Sequence, residues 1–376
     1  MSTNAGTGAN ILVVNAGSSS LKLRVISEGD RVVRRADLGP ADRDGLAAFV
    51  ESGPPLAAVA HRIVHGGPDL RHTVRIDAAI LRQLHAATDL APLHNPPALA
   101  AIAAVERLMP DVPGIACFDT TFHAQLPDSA AIYPLPWEWT TRWGIRRYGF
   151  HGLSHAYAAR RSGELLGRPP AQLRTVTCHL GAGASLCAVA GEHSIDTTMG
   201  FTPLEGLMMA TRSGTVDPGL LLWLVRTGRL NVDELEDGLE HRAGLAGVAG
   251  VPGGAFEEVQ RRADRGDEQP RLALAMYGHR LRGGIAAMVA SLEGIDVLVF
   301  TGGVGERAWR MREETVRGLG FLGVDIDHLR NRTVGDDDAV VSAVDATVET
   351  VVVHSREDLE MSREVRRVLT PNRPPP

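Results

Sequence analysis

Two stretches of the chain repeat one design. Val14-Asn15-Ala16-Gly17-Ser18-Ser19-Ser20-Leu21 and His179-Leu180-Gly181-Ala182-Gly183-Ala184-Ser185-Leu186 each follow an apolar strand with a turn of small residues and a second apolar strand. Ser20 and Ser185 are 165 residues apart, about one domain. A chain of 376 residues, 44% of them hydrophobic, holds two such domains with a core each. Two similar domains, each presenting a small-residue turn to a shared cleft, are suited to gripping a polyphosphate. Backbone N–H groups of these turns form anion-binding concavities, and the missing side chains let phosphate approach. A third turn, Gly302-Gly303-Val304-Gly305-Glu306, follows the apolar strand Asp296–Thr301 and leads into a helix, whose start favours anions. Taken singly, each turn reads equally as a tight hairpin.

Elsewhere the pattern alternates strands and helices. Ile11–Val14, Leu21–Ile26, Arg31–Leu38, Val112–Phe118, Thr175–Leu180, Ser185–Ala190 and Thr350–Val353 read as strands. Asp77–Leu90, Pro96–Leu108, His151–Leu166, Gly219–Thr227, Pro270–Leu292, a segment after Glu306, and Arg356–Leu369 read as helices. The expected class is α/β.

Several functions fall away. A net charge of −6 offers no basic excess for a nucleic-acid backbone. The longest apolar candidate for a membrane span, Gly283–Val299, is broken by Glu293 and Asp296. Met1–Asn10 has neither the basic nor the apolar region of a signal peptide, so a cytoplasmic location is expected. Cys117, Cys178 and Cys187 lack CxxC spacing and read as reduced thiols inside strands. No Gly-Lys dipeptide exists, which excludes a Walker A loop. Of 39 basic residues only Lys22 is lysine, and it stands just past the serine turn.

At this point the residues resemble the acetokinase family. The two turn signatures carry the likeness, the first running on to Lys22, together with His61-Arg62-Ile63-Val64-His65-Gly66-Gly67 and Ala91-Pro92-Leu93-His94-Asn95-Pro96-Pro97. It continues through Phe118-Asp119-Thr120-Thr121-Phe122-His123, Tyr148-Gly149-Phe150-His151-Gly152, Asp196 to Gly214, and the Gly302 turn. The resemblance implies the fold shared by sugar kinases, Hsc70 and actin: two duplicated ribonuclease-H-like domains flanking a nucleotide cleft. The expected N-terminal domain is residues 1–150, completed by the C-terminal helix 356–376, and the second is 151–355.

The implied activity is reversible transfer of the ATP γ-phosphoryl group to acetate, giving acetyl phosphate and ADP with Mg²⁺ or Mn²⁺. Acetate is already ionised at neutral pH, so it needs no general base. Bringing two anions together calls for cations and hydrogen-bond donors at the transferring group. The matched positions assign Asp119, His151 and Arg212 to catalysis, Arg212 because a planar fork fits phosphoryl oxygens. For Asp119 the physical expectation is orientation of the metal or of an arginine.

Arg62, Val64, Leu93, Phe150 and Pro203 are the implied acetate site, with an apolar pocket that separates acetate from propionate by only about 1 to 3 kcal/mol. Lys22, His179, Leu180, Gly181, Ala182, Gly183, Gly302, Gly303, Val304, Gly305 and Glu306 are the implied nucleotide ligands. Asn15 and Glu357 are implied near the metal, through waters, although Ser355 with Asp358 also reads as a capping-box variant at Glu357. Family likeness further implies a homodimer.

Two departures stand out. Where the family carries Asp-x-Arg against the nucleoside, this chain has Gly254 and Phe256, and Ala182 replaces the usual Asn of the second signature. Competing readings are a propionate or other short-chain acyl kinase, a non-enzymatic actin-like ATP switch, and a zinc hydrolase using His61 with His65 or His151 with His155. The switch would not need Arg62, His151 and Arg212. For zinc, the first pair falls on an apparent strand, which sets the rings about 13 Å apart, and neither pair carries a metalloprotease Glu.

Overall fold

The computed structural model describes residues 10–17, 20–92 and 94–370. Ser18, Ser19 and Leu93 lie outside the described residues.

Strand pairing makes the duplication explicit. In the first sheet β1 (Asn10–Ala16), β2 (Leu21–Ile26) and β3 (Val32–Leu38) form an antiparallel meander. β4 (Leu56–Ile63) then lies parallel to β1, and β6 (Gly114–Phe118) lies parallel to β4, with β5 (Val74–Arg75) antiparallel on the edge. The order is β3-β2-β1-β4-β6-β5.

The second sheet repeats every step. β7 (Arg174–Leu180), β8 (Ala184–Ala190) and β9 (His193–Thr197) form the meander. β10 (Val297–Thr301) and β12 (Glu349–Val352) add in parallel, and β11 (Ala339–Val340) closes the edge antiparallel. Its order, β11-β12-β10-β7-β8-β9, is the first read from the other side. Strand for strand the units match, as in ribonuclease-H-like domains.

Both sheets are covered on two faces, which is why β1 and β10 read as continuous apolar runs. In the first unit α1 (Asn95–Leu108), with prolines in its opening turn, packs through Ala101 and Val105 against Leu12, Val14 and Val59, and through Ala98 and Ile102 against Ile63 and Phe118. In the second, α2 (Gly152–Leu166) covers β7 and β10, and α3 (Glu268–Ser291) covers β7, β8 and β9. The chain ends in α4 (Glu357–Leu369), which returns to pack on β1, β2, β4 and β6.

The chain divides into two compact units, one reaching Ala124 and taking in α4, the other Gln125–Ser355. Residues 125–150 belong to the second unit, and their bonds say why. Arg147 donates to the carbonyls of Thr198 and Met199, the Tyr148 N–H donates to Gly200, and Tyr133 pairs with Glu205.

Two local expectations are corrected. The helix expected after Glu306 is present at Trp309–Arg317, and a short one, Gly302–Arg307, precedes it directly at the end of β10. Gly302 has φ +77°, and a Cβ there would sit 2.8 Å from the Leu180 carbonyl oxygen, so glycine lets the chain turn against β7. At the other terminus, Ser355 caps nothing. α4 starts without a side-chain cap, and Ser355 donates its N–H to Glu306 Oε1 at 2.9 Å. His65 lies past the end of β4, in a turn where its Nδ1 accepts from the Gly67 N–H.

Candidate active site

The first unit gathers five predicted residues where β1, β2, β4 and β6 meet the start of α4. Asn15 on β1 faces Lys22 on β2 across the hairpin. Arg62 on β4 reaches Asp119, the residue after β6, in a two-pronged pair: Nε to Oδ1 at 2.9 Å and Nη2 to Oδ2 at 2.7 Å. Its remaining nitrogen, Nη1, lies 3.4 Å from Asn15 Oδ1 and 3.5 Å from Glu357 Oε2. Asp119 is buried and its backbone N–H donates to Ile63, which fixes the carboxylate against Arg62.

Charge is unevenly balanced in this cluster. Burial alone would lower the Arg62 pKa, but the carboxylates of Asp119 and Glu357 outweigh it and raise the value further above its ordinary range. Glu357 moves up, because burial and the neighbouring Asp119 charge outweigh attraction to Arg62 and Lys22. A half-buried carboxylate pushed this way is an environment that a further cation would relieve.

The second unit assembles a separate set around Gly183. A Cβ at Gly183 would lie 3.3 Å from His151 Cε1 and Nε2 and 3.7 Å from Arg212 Nη1, so the imidazole and the guanidinium flank one small space kept open by glycine. His151 caps α2 in the left-handed region, φ 56° and ψ 24°, which costs about 1 to 3 kcal/mol at a non-glycine residue and aims the ring out of the helix. It stacks on His179, the centroids 4.2 Å apart.

Arg212 is held from outside the predicted set. Its Nε donates to Glu240 Oε2 at 2.9 Å, and its loop is pinned by the bonds of Ala210 N–H to Ala182, Ala243 N–H to Thr211 and Leu245 N–H to Met209. Sequence reasoning missed Glu240, and also Ser154, whose hydroxyl meets His179 Nδ1 at 2.8 Å. Glu240 carried no motif. Ser154 carried a signal, because it stands three residues after His151, on the helix turn that covers β7.

The remaining residues sort as follows. His179, Leu180, Gly181, Ala182 and Gly183 form the β7–β8 turn, with Gly181 N–H bonded to the Gly183 carbonyl. Register sets Ser185 on β8 opposite His179, just as Lys22 on β2 is opposite Asn15. Thus Ser185 corresponds to Lys22 and not to Ser20. Glu306 accepts from Ser355, which makes it a tie between β10 and the chain after β12. Val64 is in the first unit, half-buried, two residues after Arg62, whereas Phe150 and Pro203 are in the second, Phe150 fully buried. Leu93 lies outside the described residues.

Beside Gly303 and Val304 opens a cavity of about 280 Å³ lined by Phe256, Glu257, Arg261, Trp309 and Arg310 among others. Phe256 is mostly buried, edge-on to Tyr277 with centroids 5.6 Å apart. Gly254 is not on this lining. With φ +62°, its Cβ would fall 2.0 Å from the Ala210 carbonyl oxygen, in the loop that carries Arg212. An aspartate cannot stand here without moving that loop.

Among the described residues no three His, Cys, Asp or Glu side chains form a metal cage. His151 and His155 instead share the Ser185 hydroxyl.

Paired α/β units whose strand ends carry arginines, histidine, carboxylates and open glycine turns are those of a phosphotransferase. Comparison with known proteins gives the family. Residues 46–363 match the acetokinase family. The acetate kinase of Acetivibrio thermocellus is 38% identical, covering 96% of this chain and 99% of its own. Two crystal structures superpose closely, each at 31% identity. The acetate kinase of Porphyromonas gingivalis has a TM-score of 0.89, covering 96% of this chain and all of its own. The propionate kinase of Francisella tularensis has 0.87, covering 95% and 98%. The chain belongs to the acetokinase family.

Proposed function

We propose that this protein is an acetate kinase, transferring the γ-phosphoryl group of ATP reversibly to acetate to give acetyl phosphate and ADP. The observation that carries the reading is the pairing of His151 and Arg212 around the space at Gly183, a built place for a multiply charged anion. The acetate carboxylate attacks without a base. Arg212 and His151 donate to the equatorial oxygens as charge spreads over the transferring group, with Glu240 holding the guanidinium in position.

Arg62, oriented by Asp119, offers Nη1 to the acetate carboxylate, and family likeness assigns the methyl group to Val64, Phe150 and Pro203. Asp119 is thus a positioning residue in this reading, since both of its oxygens are engaged by Arg62. In the second unit the turns at Gly181–Gly183 and Gly302–Glu306 hold the nucleotide phosphates, with the base in the Phe256 cavity, and family likeness adds Lys22 as a phosphate ligand.

Asn15 and Glu357 fit a hydrated Mg²⁺ or Mn²⁺. Both offer hard oxygen donors, they are few, and burial leaves Glu357 wanting a cation. When bound, the ion would neutralise charge on the nucleotide phosphates. Among the described residues no helix is long and apolar enough to cross a membrane, and the cytoplasm is the proposed location. A homodimer is proposed on the exposed apolar side chains Leu220, Leu222, Trp223 and Val225 of one helix.

Trapping acetyl phosphate as the hydroxamate, with acetate and propionate run side by side, tests the reading. Product with acetate supports it, a higher specificity constant for propionate transfers the name to the neighbouring activity, and no product with either contradicts it.

A further inference from the structure

Three buried polar groups form one chain of hydrogen bonds behind His151. Thr177 Oγ1 on β7 lies 2.7 Å from His155 Nδ1, His155 Nε2 lies 2.8 Å from Ser185 Oγ on β8, and Ser185 Oγ lies 2.9 Å from His151 Nδ1. Thr177, His155 and Ser185 are each fully buried. A serine hydroxyl has one hydrogen and two lone pairs, and the Ser185 hydrogen stays within the chain when it is given to one ring and the oxygen accepts from the other. Direction along such a chain fixes which nitrogen of His151 carries the proton.

Two directions keep the Ser185 hydrogen between neutral rings, whereas a hydroxyl that accepted from both would have to place its buried hydrogen elsewhere. In one, Thr177 gives its proton to the Cys187 carbonyl, His155 donates back to Thr177, Ser185 donates to His155, and His151 is left protonated at Nδ1. In the other, Thr177 donates to His155 Nδ1, His155 Nε2–H donates to Ser185, Ser185 donates to His151 Nδ1, and His151 is protonated at Nε2. The Cys187 carbonyl is 3.5 Å from Thr177 Oγ1, at the limit of a hydrogen bond, against 2.7 Å to His155. Both directions use the 2.7 Å contact, but the first also needs Thr177 to donate across 3.5 Å, so the second is favoured.

The geometry points to Thr177, His155 and Ser185 as positioning residues that hold His151 in the Nε2–H tautomer. This nitrogen borders the space at Gly183 beside the Arg212 guanidinium. His151 then reaches the phosphoryl group as a neutral donor, with no second full cation forced next to Arg212. The inference rests on the reading of His151 as a phosphoryl donor, yet its main test needs no turnover. It also accounts for the spacing of His151 and His155: one helical turn places both rings on a single β8 hydroxyl.

The test is nitrogen NMR of ¹⁵N-histidine-labelled protein above about pH 8, where an unperturbed imidazole is neutral, with His151 assigned by the signals lost in His151→Gln. The expected spectrum has a protonated, pyrrole-type Nε2 and a bare, pyridine-type Nδ1. The reverse assignment overturns the inference, whether or not His151 variants lose activity. In Ser185→Ala the His151 signals should move to a tautomer mixture, with kcat down by about 10- to 100-fold, as for other groups that fix a working imidazole, and KM values within about twofold. Ser185→Thr, which keeps the hydroxyl, should retain the Nε2–H form. An unchanged kcat and unchanged His151 signals in folded Ser185→Ala would overturn the inference. Should that variant fail to fold, the wild-type spectrum decides alone.

Discussion

Arg212 and Arg62 hold different kinds of partner, and their variants should fail differently. Arg212 has Glu240 on one edge and open space at Gly183 on the other. Arg212→Ala is expected to lower kcat at least about 100-fold with the fold retained, because a donor to developing charge is lost. Wild-type turnover in folded protein would rule out the role. Arg62 is tied into the first unit by Asp119, which is 2% exposed. Removing one partner of a buried ion pair costs about 3 kcal/mol at the lower end of the usual range, so Asp119→Ala should lose stability as well as activity. Thermal unfolding checks this, and an unchanged midpoint would contradict it. Arg62 was legible from the Gly66-Gly67 run at the end of β4, Asp119 from its place at the end of β6, and Arg212 from its glycine-closed loop and its likeness to the family. Glu240 and Thr177 were not, since what recruits them is contact across 28 residues to Arg212 and 22 to His155. No local pattern encodes such contacts.

The strands read from sequence are β1, β2, β3, β6, β7, β8, β10 and β12, some from apolar runs and some from alternation, as in Leu21-Lys22-Leu23-Arg24-Val25-Ile26. β4 was harder to read, because Leu56-Ala57-Ala58-Val59-Ala60-His61-Arg62-Ile63 is alanine-rich and carries two polar residues that belong to the site. The two-residue edges β5 and β11 have no pattern at all. Loops hold the other lesson. Gly254 reads as a lost nucleoside contact, but it lies so close to Ala210 in the Arg212 loop that a Cβ would meet that carbonyl. Gly254→Asp should therefore lower kcat at least about tenfold instead of improving selectivity for ATP. A sharper preference for ATP at undiminished kcat would overturn this. With Phe256 presenting an apolar wall, base-specific hydrogen bonds are few. GTP and ITP should serve within about tenfold of ATP, each missing bond being worth roughly 1 kcal/mol. A preference above a hundredfold would show that other side chains read the base.

Duplication organises the whole molecule strand for strand. The first unit carries buried groups that set its response to pH. Burial holds His61 down to about 3 and His65 to about 4, so both rings are neutral when folded. The unfolded chain binds those protons near 6.5, so the stability they confer is present above that value and lost as pH falls toward 4. Glu364 on α4 runs the other way. Burial raises it to about 7, so its contribution is present below about 4.5 and lost as pH rises through 7. Relative to wild type, Glu364→Gln should be more stable at about pH 8 than at about pH 5, measured by urea unfolding. An equal difference at both pH values would contradict the assignment.

A phosphoryl group that moves from nucleotide to carboxylate can be followed directly. In ³¹P NMR of the purified protein with magnesium, ATP and acetate, the γ-phosphoryl signal should decline as acetyl phosphate and ADP grow in equal amounts, and nothing should change without acetate. Release of inorganic phosphate at a rate indifferent to acetate, with no acetyl phosphate signal, would contradict the assignment and mark the molecule as an ATP-hydrolysing switch.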